Sequence, residues 1–226
     1  MVKNVRGTPR REESLSRESI IEASIALLDA DGERGLTFRA LADRLSTGPG
    51  AIYWHVANKS DLLTSACDAI VARTMSGTMD EGTPKEIIRA LALGMFDAID
   101  AHPWVGSALT GAPGQLPMVR ILERIGQQIR AMDVRSDAQW AAATALLNYI
   151  LGVSGQNAAN AQIGRRLGGD RSAFLEQVSA MWLQLDPEAY TFTRSVAAQL
   201  RAHDDRADFV EGIDLILSGI EVSRGG

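Results

Sequence analysis

The chain has 226 residues, of which 46% are hydrophobic, and this length and composition allow a sizeable buried core and exclude a disordered polypeptide. Its single cysteine cannot form an internal disulfide, and no stretch approaches the roughly 18 apolar residues of a membrane span, so we expect a soluble protein of the reducing cytoplasm. The net charge of −5 is unevenly distributed along the chain. Residues 1–60 carry nine Lys and Arg against eight Asp and Glu, whereas the remainder carries 14 against 20. This difference indicates a small module that faces a polyanion and a larger acidic module.

Helical periodicity runs through the whole chain, and no segment shows the alternating pattern of a β-strand. We therefore predict an all-α fold. Residues 1–15 form a basic arm, which we expect to be a flexible tail. The alternative for this arm is contact with the phosphates or the minor groove of DNA, through Lys3, Arg6, Arg10 and Arg11.

Capping signals place the first two helices. The first is predicted to begin after the N-cap Ser16, with Leu15 packing on Ile20, and to end at Gly32. The second is capped by Thr37 and spans the segment FRALADRL.

Two further helices follow closely. A turn from Ser46 to Gly48 precedes the third predicted helix, PGAIYWH, in which Pro49 occupies the first position. The fourth, from Lys59 to Met75, follows the N-cap Asn58 and carries Asp61 in its first turn, where a carboxylate meets free N–H groups.

The rest of the chain reads as longer amphipathic helices after the loop SGTMDEGTP, with a second loop at GRRLGGDRS, residues 164–172. The predicted helices are Pro84–Ala101, Trp104–Leu109, Leu116–Met132, Asp137–Ala161, Phe174–Leu183, Pro187–Arg201 and Ala207–Val222.

Two short helices joined by a tight turn, between a supporting helix and a following one, are the helix-turn-helix arrangement that puts its second helix in the DNA major groove. Ile52 and Val56 are four residues apart and are predicted to anchor the short third helix on Leu41 and Leu45. Most residues between these anchors then face solvent or DNA. We expect Trp54 instead to pack beneath the fourth helix.

The outward residues have side chains that suit DNA. Tyr53 and His55 carry compact donors for phosphate oxygens. The alternative for Tyr53 is an ordinary exposed aromatic residue, and the alternative for His55 is a cap at the C-terminus of a helix. Lys59 and Thr37 lie at helix starts, where phosphate is also favoured. Arg39 is the long side chain placed to reach a guanine edge with two hydrogen bonds.

Small residues at the start of the third helix allow a close approach to the base edges. Gly50 and Ala51 are predicted to lie there, and Ala51 could touch a thymine methyl group. The predicted DNA-binding set is Thr37, Arg39, Thr47, Gly50, Ala51, Tyr53, His55 and Lys59.

The segment LTFRALADRLSTGPGAIYWHVANKSDLL resembles the DNA-binding motif of the tetracycline repressor (TetR) family. The resemblance implies an all-helical homodimer, with a three-helix DNA-binding domain and a larger domain that binds a small molecule and dimerises through a four-helix bundle. It further implies that Thr37, Tyr53, His55 and Lys59 contact phosphates. The C-terminal part is similar more loosely, through AHPWV and DFVEGIDLILSGIE.

Candidate ligand-binding residues in the larger part are Trp104, Asn148 and Gln156, because a small-molecule site needs an apolar cavity with a few polar groups. The alternative for the two amides is structural hydrogen bonding across a dimer. Core positions are expected for most of the large apolar side chains of this part, namely Met95, Phe96, Trp104, Trp140, Tyr149, Met181 and Trp182.

Dimerisation is predicted because one short helix reads too few base pairs, so that such proteins usually pair on two half-sites. The helices Asp137–Ala161 and Ala207–Val222 are the interface candidates, since small residues permit close approach of helices. Those residues are Gly152, Gly155, Gly212 and Gly219.

These patterns predict a ligand-responsive transcriptional regulator, a repressor, that binds a palindromic double-stranded DNA operator as a homodimer and is released by a small-molecule effector. The predicted domains are residues 16–62 for DNA and residues 63–226 for ligand binding and dimerisation. No catalytic residue, metal site or cofactor is expected, and Cys67 is expected to be a buried hydrophobic residue. The alternative is an all-helical enzyme or ligand carrier in which the helix-turn-helix segment is only structural.

Overall fold

A computed structural model describes residues 15–77, 81–112, 114–166 and 171–222, and these residues form helices and no strands. The predicted all-α fold is therefore confirmed. Contacts divide the chain into two compact units, Met1–Ala66 and Cys67–Gly226. The predicted arm at residues 1–15 lies almost entirely outside the described residues, and the functional assignment of residues 16–62 and 63–226 stays a prediction.

The first unit contains α1 (Arg17–Gly35), α2 (Phe38–Arg44), α3 (Pro49–Ile52) and the start of α4 (Lys59–Gly77). Ser16 caps α1 as predicted and forms a reciprocal capping box with Ser19. The continuous helix is interrupted at Gly32, where its end was predicted, although the element as a whole extends to Gly35. Gly32 has a positive φ of 64°, which glycine adopts at little cost, and helical bonding resumes beyond this kink as far as Gly35.

Predicted caps also begin the next helices. The Thr37 Oγ1 accepts a hydrogen bond of 3.1 Å from the Ala40 N–H, and the Asn58 Oδ1 accepts one of 2.9 Å from the Asp61 N–H. The third helix is shorter than predicted, because α3 ends at Ile52 and residues 53–55 form a turn. The N–H groups of His55 and Val56 both point to the Ile52 carbonyl, at 2.9 and 3.2 Å, so the regular ladder stops there.

The second unit contains the end of α4 and helices that follow the predicted pattern within a few residues, except at two places. These helices are α5 (Pro84–Ala101), α6 (Trp104–Gly111), α7 (Leu116–Ala131), α8 (Ser136–Arg166), α9 (Arg171–Leu183), α10 (Thr191–Val196), a 3-10 helix (Ala197–Ala202) and α11 (Asp205–Val222).

The first difference is at residues 164–172, predicted to be a loop. Helix α8 continues to Arg166 and α9 already begins at Arg171, while residues 167–170 lie outside the described part of the chain. The second is the predicted helix Pro187–Arg201, which is replaced by a turn, α10 and the 3-10 helix. The Asp186 carboxylate accepts hydrogen bonds from the Glu188 and Ala189 N–H groups, at 3.0 and 2.8 Å, as an N-cap does, and residues 187–190 form a turn before α10 begins at Thr191.

Helix α5 lies at the centre of the second unit and packs against α7, α8 and α11. Its buried face includes Phe96, whose ring lies 4.8 Å from that of Phe209 on α11. Tyr149 on α8 also stacks on Phe209, with ring centroids 5.6 Å apart. The core positions predicted for Met95, Phe96 and Trp104 are confirmed, at 0%, 5% and 6% exposure.

Two predicted core residues of this unit are at the surface. Trp140 is 70% exposed and Met181 is 56% exposed, so their prediction as core was wrong. For Trp140 the helical period itself is misleading, because this residue shares a face of α8 with the buried Ala143 and Leu147 but lies in the first turns of the helix, where residues 136–142 are exposed or half-buried. Cys67 is buried as expected, and burial raises the pKa of its thiol to about 12.

Membrane-spanning helices and metal-binding clusters are both absent from the described residues. None of their helices combines the length and apolarity needed to cross a membrane. Nor do they contain three or more His, Cys, Asp or Glu side chains grouped closely enough to hold a metal ion.

Candidate nucleic-acid interface and ligand cavity

The turn that follows α3 presents two aromatic side chains to the outside. Ile52 and Val56 are buried, at 0% and 3% exposure, which confirms their role as anchors. Between them Tyr53 is 56% exposed and Trp54 is 89% exposed. The expected packing of Trp54 was wrong, because this residue is two positions from each of the buried anchors Ile52 and Val56 and its side chain points away from them.

Tyr53 is held in place by a ring that the sequence did not suggest as its partner. Its ring stacks on that of Phe38 from α2, with centroids 4.1 Å apart and planes inclined by 9°. The stack restricts the side-chain torsions of Tyr53, so that its exposed hydroxyl is directed with little loss of entropy on binding.

The start of α3 has a small surface. Gly50 is exposed, and a Cβ added to it would meet no atom within 4 Å. Ala51 is half-buried. Glycine at position 50 is therefore not required by packing within the chain, and the room it leaves faces outward, where the sequence predicts an approach to base edges.

The polar candidates on α2 and the following turn differ in how they are held. Thr37 is exposed, and because its oxygen accepts the capping bond its O–H remains available as a donor. Arg39 is exposed on α2. Thr47 is half-buried and donates its backbone N–H to the Ala42 carbonyl at 3.0 Å, next to Ser46, which has a positive φ of 52°.

Lys59, the first residue of α4, is exposed and donates a hydrogen bond of 2.5 Å from its Nζ to the Glu33 carbonyl in the last turn of α1. The sequence did not indicate this bond. An ammonium group carries three donors, so the contact with α1 leaves donors for a phosphate. It also fixes where those donors lie.

Arg17 is a structural residue of this site that the sequence analysis missed. From the first position of α1 its guanidinium donates to the His55 carbonyl at 2.7 Å, to the Ser65 Oγ at 2.7 Å and to the Asp61 carboxylate at 3.4 Å. One side chain thus joins α1 to the end of the turn that carries Tyr53 and Trp54 and to the first turns of α4. These partners are 38 to 48 residues away along the chain, and no local pattern links them to Arg17.

Asp61 holds the segment between this turn and α4. Its Oδ2 accepts a hydrogen bond of 3.0 Å from the Ala57 N–H, and this bond lowers the pKa of the Asp61 carboxyl, with a further contribution from Arg17. Because its pKa is lower in the folded state than in the unfolded state, the ionised carboxylate stabilises the fold above the unfolded pKa of about 3.9. This contribution is lost as the pH falls through the lower folded value.

We expect Asp61→Asn to reduce the free energy of unfolding by about 1 kcal/mol at neutral pH, because the amide is a weaker acceptor for the Ala57 N–H and forms no ion pair with Arg17. Urea unfolding of both proteins at pH 7 and at acid pH measures the effect. The difference should shrink as the pH falls through the depressed pKa, since the parent protein then loses the same interaction. A difference that stays constant with pH would contradict the role given to the ionised carboxylate.

Comparison with known proteins decides the family. The solved structure of the transcriptional regulator SCO7222, a TetR from Streptomyces coelicolor, is 48% identical to this chain, has a TM-score of 0.85, and covers 93% of this chain and 99% of its own. The chain belongs to the TetR family. The family model described as bacterial regulatory proteins, tetR family, matches residues 20–66, which contain α2, α3 and the Tyr53–Trp54 turn.

The chain is also similar to a tetracycline repressor and to a protein solved with its DNA operator. Tetracycline repressor protein class D from Escherichia coli is 46% identical over 59 residues, which are 26% of this chain and 27% of that protein. A structure of BioQ with its double-stranded DNA operator is 30% identical, has a TM-score of 0.58, and covers 69% of this chain and 94% of that one.

The second unit of this TetR protein has a partly open cavity of about 820 Å³. Its lining comes from α5, α8, α9, the 3-10 helix and the start of α11, and includes Gln156, one of the predicted ligand-binding residues. The other two do not line this cavity, because Trp104 is buried elsewhere in the core and Asn148 is exposed on α8. All three assignments stay predictions.

The predicted dimer helices of this TetR protein are α8 and α11. Gly152 and Gly219 are exposed with no atom within 4 Å of an added Cβ, so close approach of another chain is possible there. Gly212 has a different reason to be glycine, since an added Cβ would lie 1.9 Å from the Tyr149 hydroxyl oxygen within the same unit. Gly155 is half-buried and faces Gly106 of α6, whose added Cβ would lie 3.8 Å from the Gly155 Cα.

Proposed function

We propose that this TetR-family protein is a cytoplasmic, ligand-responsive repressor, and not an enzyme, that binds a palindromic operator as a homodimer. The observation that carries the proposal is the outward turn of Tyr53 and Trp54, held by Arg17 and Asp61 directly after a helix-turn-helix. Two exposed aromatic residues on a fixed turn beside an open helix start suit the backbone and groove of DNA. The family-model match over residues 20–66, the similarity to tetracycline repressor class D and the BioQ–operator structure support DNA binding and repression.

The predicted DNA-binding residues fall into two groups, those proposed to contact phosphates and those proposed to lie at the bases. Tyr53, His55, Thr37 and Lys59 are proposed to contact phosphates, with Thr47 beside them in the turn between α2 and α3. Gly50 and Ala51 allow the base edges to come close. Arg39 is proposed to supply direct base readout, because an exposed guanidinium can form two hydrogen bonds with guanine.

Homodimerisation is proposed through α8 and α11, each of which has an outward face of small and apolar residues. On α11 the residues Leu215 and Val222 are 69% and 82% exposed, and Gly219 lies between them. On α8 the exposed positions include Ala141, Ala145 and Gly152. Four such faces from two protomers could form a helical bundle with close interhelical distances.

The ligand response is proposed to act on the population of DNA-competent dimers. A ligand that binds better to another arrangement shifts the equilibrium away from the operator-binding one. Helix α4 runs from the first unit into the second, which makes it the candidate link. A coupling free energy of about 1–3 kcal/mol would weaken operator binding by roughly 5- to 150-fold.

The test is DNA affinity measured against salt for two matched variants. Lys59→Gln is expected to weaken binding to all sequences and to reduce the slope of log affinity against log salt by about 1 for each protomer, because one phosphate contact is lost. Arg39→Ala is expected instead to relax sequence preference, by about 1–3 kcal/mol at the base that it reads. Fluorescence anisotropy with labelled operator and with random duplex DNA separates the two effects.

Thermal unfolding of each variant is the control, because Lys59 also bonds to the Glu33 carbonyl and could affect the fold. If both variants fold and both keep the parent affinity, specificity and salt slope, the helix-turn-helix is only structural and the proposed function is wrong. Equal losses for Arg39→Ala on every sequence would contradict its role as the base reader while leaving DNA binding in place.

A further inference from the structure

The cavity in the second unit has a pronounced aromatic wall. Phe96 of α5, Phe174 and Trp182 of α9 all line it, and Leu175 and Leu200 add apolar surface. A space of about 820 Å³ is within the range of small-molecule sites and can hold an organic ligand with several rings. The three aromatic rings come from two different helices, so a bound molecule would be contacted from more than one side.

Polar groups in the lining are mainly oxygen acceptors and amides. The lining contains the carboxylates of Asp100, Asp204 and Asp205, and the amide side chains of Gln156, Asn157 and Asn160. The Asn157 amide donates to the Asp100 carboxylate at 3.4 Å, which orients this carboxylate at the end of α5. Asp204 accepts the N–H groups of Arg206 and Ala207 at the start of α11, at 3.0 and 3.1 Å.

Cationic groups of the described lining are already neutralised by further carboxylates. Arg206 forms paired hydrogen bonds to Asp97, at 3.2 and 3.3 Å. The His203 ring lies between two carboxylates, with Nε2 at 2.9 Å from Asp205 and Nδ1 at 2.5 Å from Asp208. Together the described lining and these partners hold five aspartates against one arginine and one histidine, so this described part of the cavity carries a net negative charge even with the histidine charged.

We propose that this cavity binds an organic cation that carries aromatic rings. The inference rests on the proposed ligand-responsive function and names the chemical class of the ligand. Rings of the ligand would stack on Phe174 and Trp182, whose faces also attract a positive charge. The Asp100 carboxylate, at the end of α5, supplies a charge for the cationic centre. An anion of the same size would meet the same apolar walls but would be repelled by the excess of carboxylates.

Two ions of nearly the same shape and opposite charge test this directly. The full-length protein is titrated by calorimetry with tetraphenylphosphonium and, separately, with tetraphenylborate. We expect the cation to bind about tenfold more tightly or better, because both ions have four phenyl rings and only the sign of the charge differs. Equal affinity, or tighter binding of the anion, would overturn the proposal.

Three variants test whether the ions bind in this cavity. Asp100→Asn is expected to weaken binding of the cation by about three- to tenfold with no loss for the anion, because it removes a partly solvated charge and keeps the shape. Trp182→Leu is expected to weaken the binding of both ions. Glu123→Gln, on α7 and outside the lining, is the matched control and should change neither. Unchanged cation binding in both Asp100→Asn and Trp182→Leu would show that the cation binds elsewhere.

The response of DNA binding is read in a separate experiment, so that the two proposals can fail independently. Anisotropy of a labelled operator is measured with increasing tetraphenylphosphonium. If the ion binds as expected but does not release the operator, the cavity assignment stands and the ligand-responsive part of the proposed function fails. If the protein binds its operator but prefers the anion, the function stands and the cavity assignment fails.

Discussion

A Leu215→Glu variant is expected to be monomeric and to bind a palindromic operator about 100-fold more weakly than the parent protein, because it loses the avidity of two linked half-site contacts. Leu215 lies on α11 opposite the face that buries Phe209, Ile213 and Leu217, and 69% of it is exposed in the single chain. A second copy of the chain covering this face would bury the leucine. Burying a carboxylate there without a partner costs several kcal/mol.

Light scattering after gel filtration measures the mass, and anisotropy with full palindromes and single half-sites measures DNA binding. The variant should lose affinity for the palindrome while keeping that for a half-site, since the contacts of each helix-turn-helix are unchanged. Val119→Glu is the matched control, because this residue is 47% exposed on α7, outside the proposed interface. A Leu215→Glu protein that stays dimeric would exclude α11 from the interface.

The residues of the helix-turn-helix that could be predicted from the sequence are those whose signals are local. The caps Ser16, Thr37 and Asn58 were all confirmed, because a cap is defined by residues three positions apart. The buried anchors Ile52 and Val56 follow equally from their spacing. These local rules were sufficient for the all-α fold, and the resemblance to the TetR family is confirmed.

Contacts between distant parts of the chain could not be predicted in the same way. Arg17 meets its partners only after α1 and α4 have packed, and Phe38 meets Tyr53 only when α3 ends after a single turn. The error at Trp54 was of another kind. A residue two positions from both buried anchors, Ile52 and Val56, lies about 200° from each around a helix, so their spacing itself favours an outward side chain at position 54.

The cavity shows the same limit. Gln156 was a candidate because an amide among apolar residues is noticeable on one helix. Its charged and aromatic neighbours come from several separate elements, and the sequence gives no sign that Asp100, Trp182 and Arg206 line one space. The five carboxylates around it become informative only when they are brought together by the fold.

Gly212→Ala is the second substitution with a large expected effect, and its sign is opposite to the usual rule for helices. Alanine in place of glycine normally stabilises a helix interior by about 1 kcal/mol. In α11, however, the new Cβ would lie 1.9 Å from the Tyr149 hydroxyl oxygen and 2.4 Å from the ring carbon that bears it. Tyr149 would have to move away from Phe209, with which it stacks and to whose carbonyl its hydroxyl donates at 3.4 Å.

We therefore expect Gly212→Ala to lower the free energy of unfolding by about 1–3 kcal/mol, as overpacked cores usually do. Urea unfolding at one fixed protein concentration measures it, since the stability of a dimer depends on concentration. Gly126→Ala on α7 is the matched control, because an added Cβ there meets nothing within 4 Å and should give the ordinary stabilisation.

Removing the obstacle should reverse the effect. In a Tyr149→Ala background the same Gly212→Ala change is expected to be neutral or stabilising, so that the two substitutions show a coupling free energy of about 1 kcal/mol or more. Tyr149→Ala alone destabilises the protein because it leaves a cavity beside Phe209. Comparing the double variant with the two single variants subtracts this contribution. If Gly212→Ala is destabilising by the same amount with and without the tyrosine ring, the glycine is required for another reason, such as close approach of a second chain along α11.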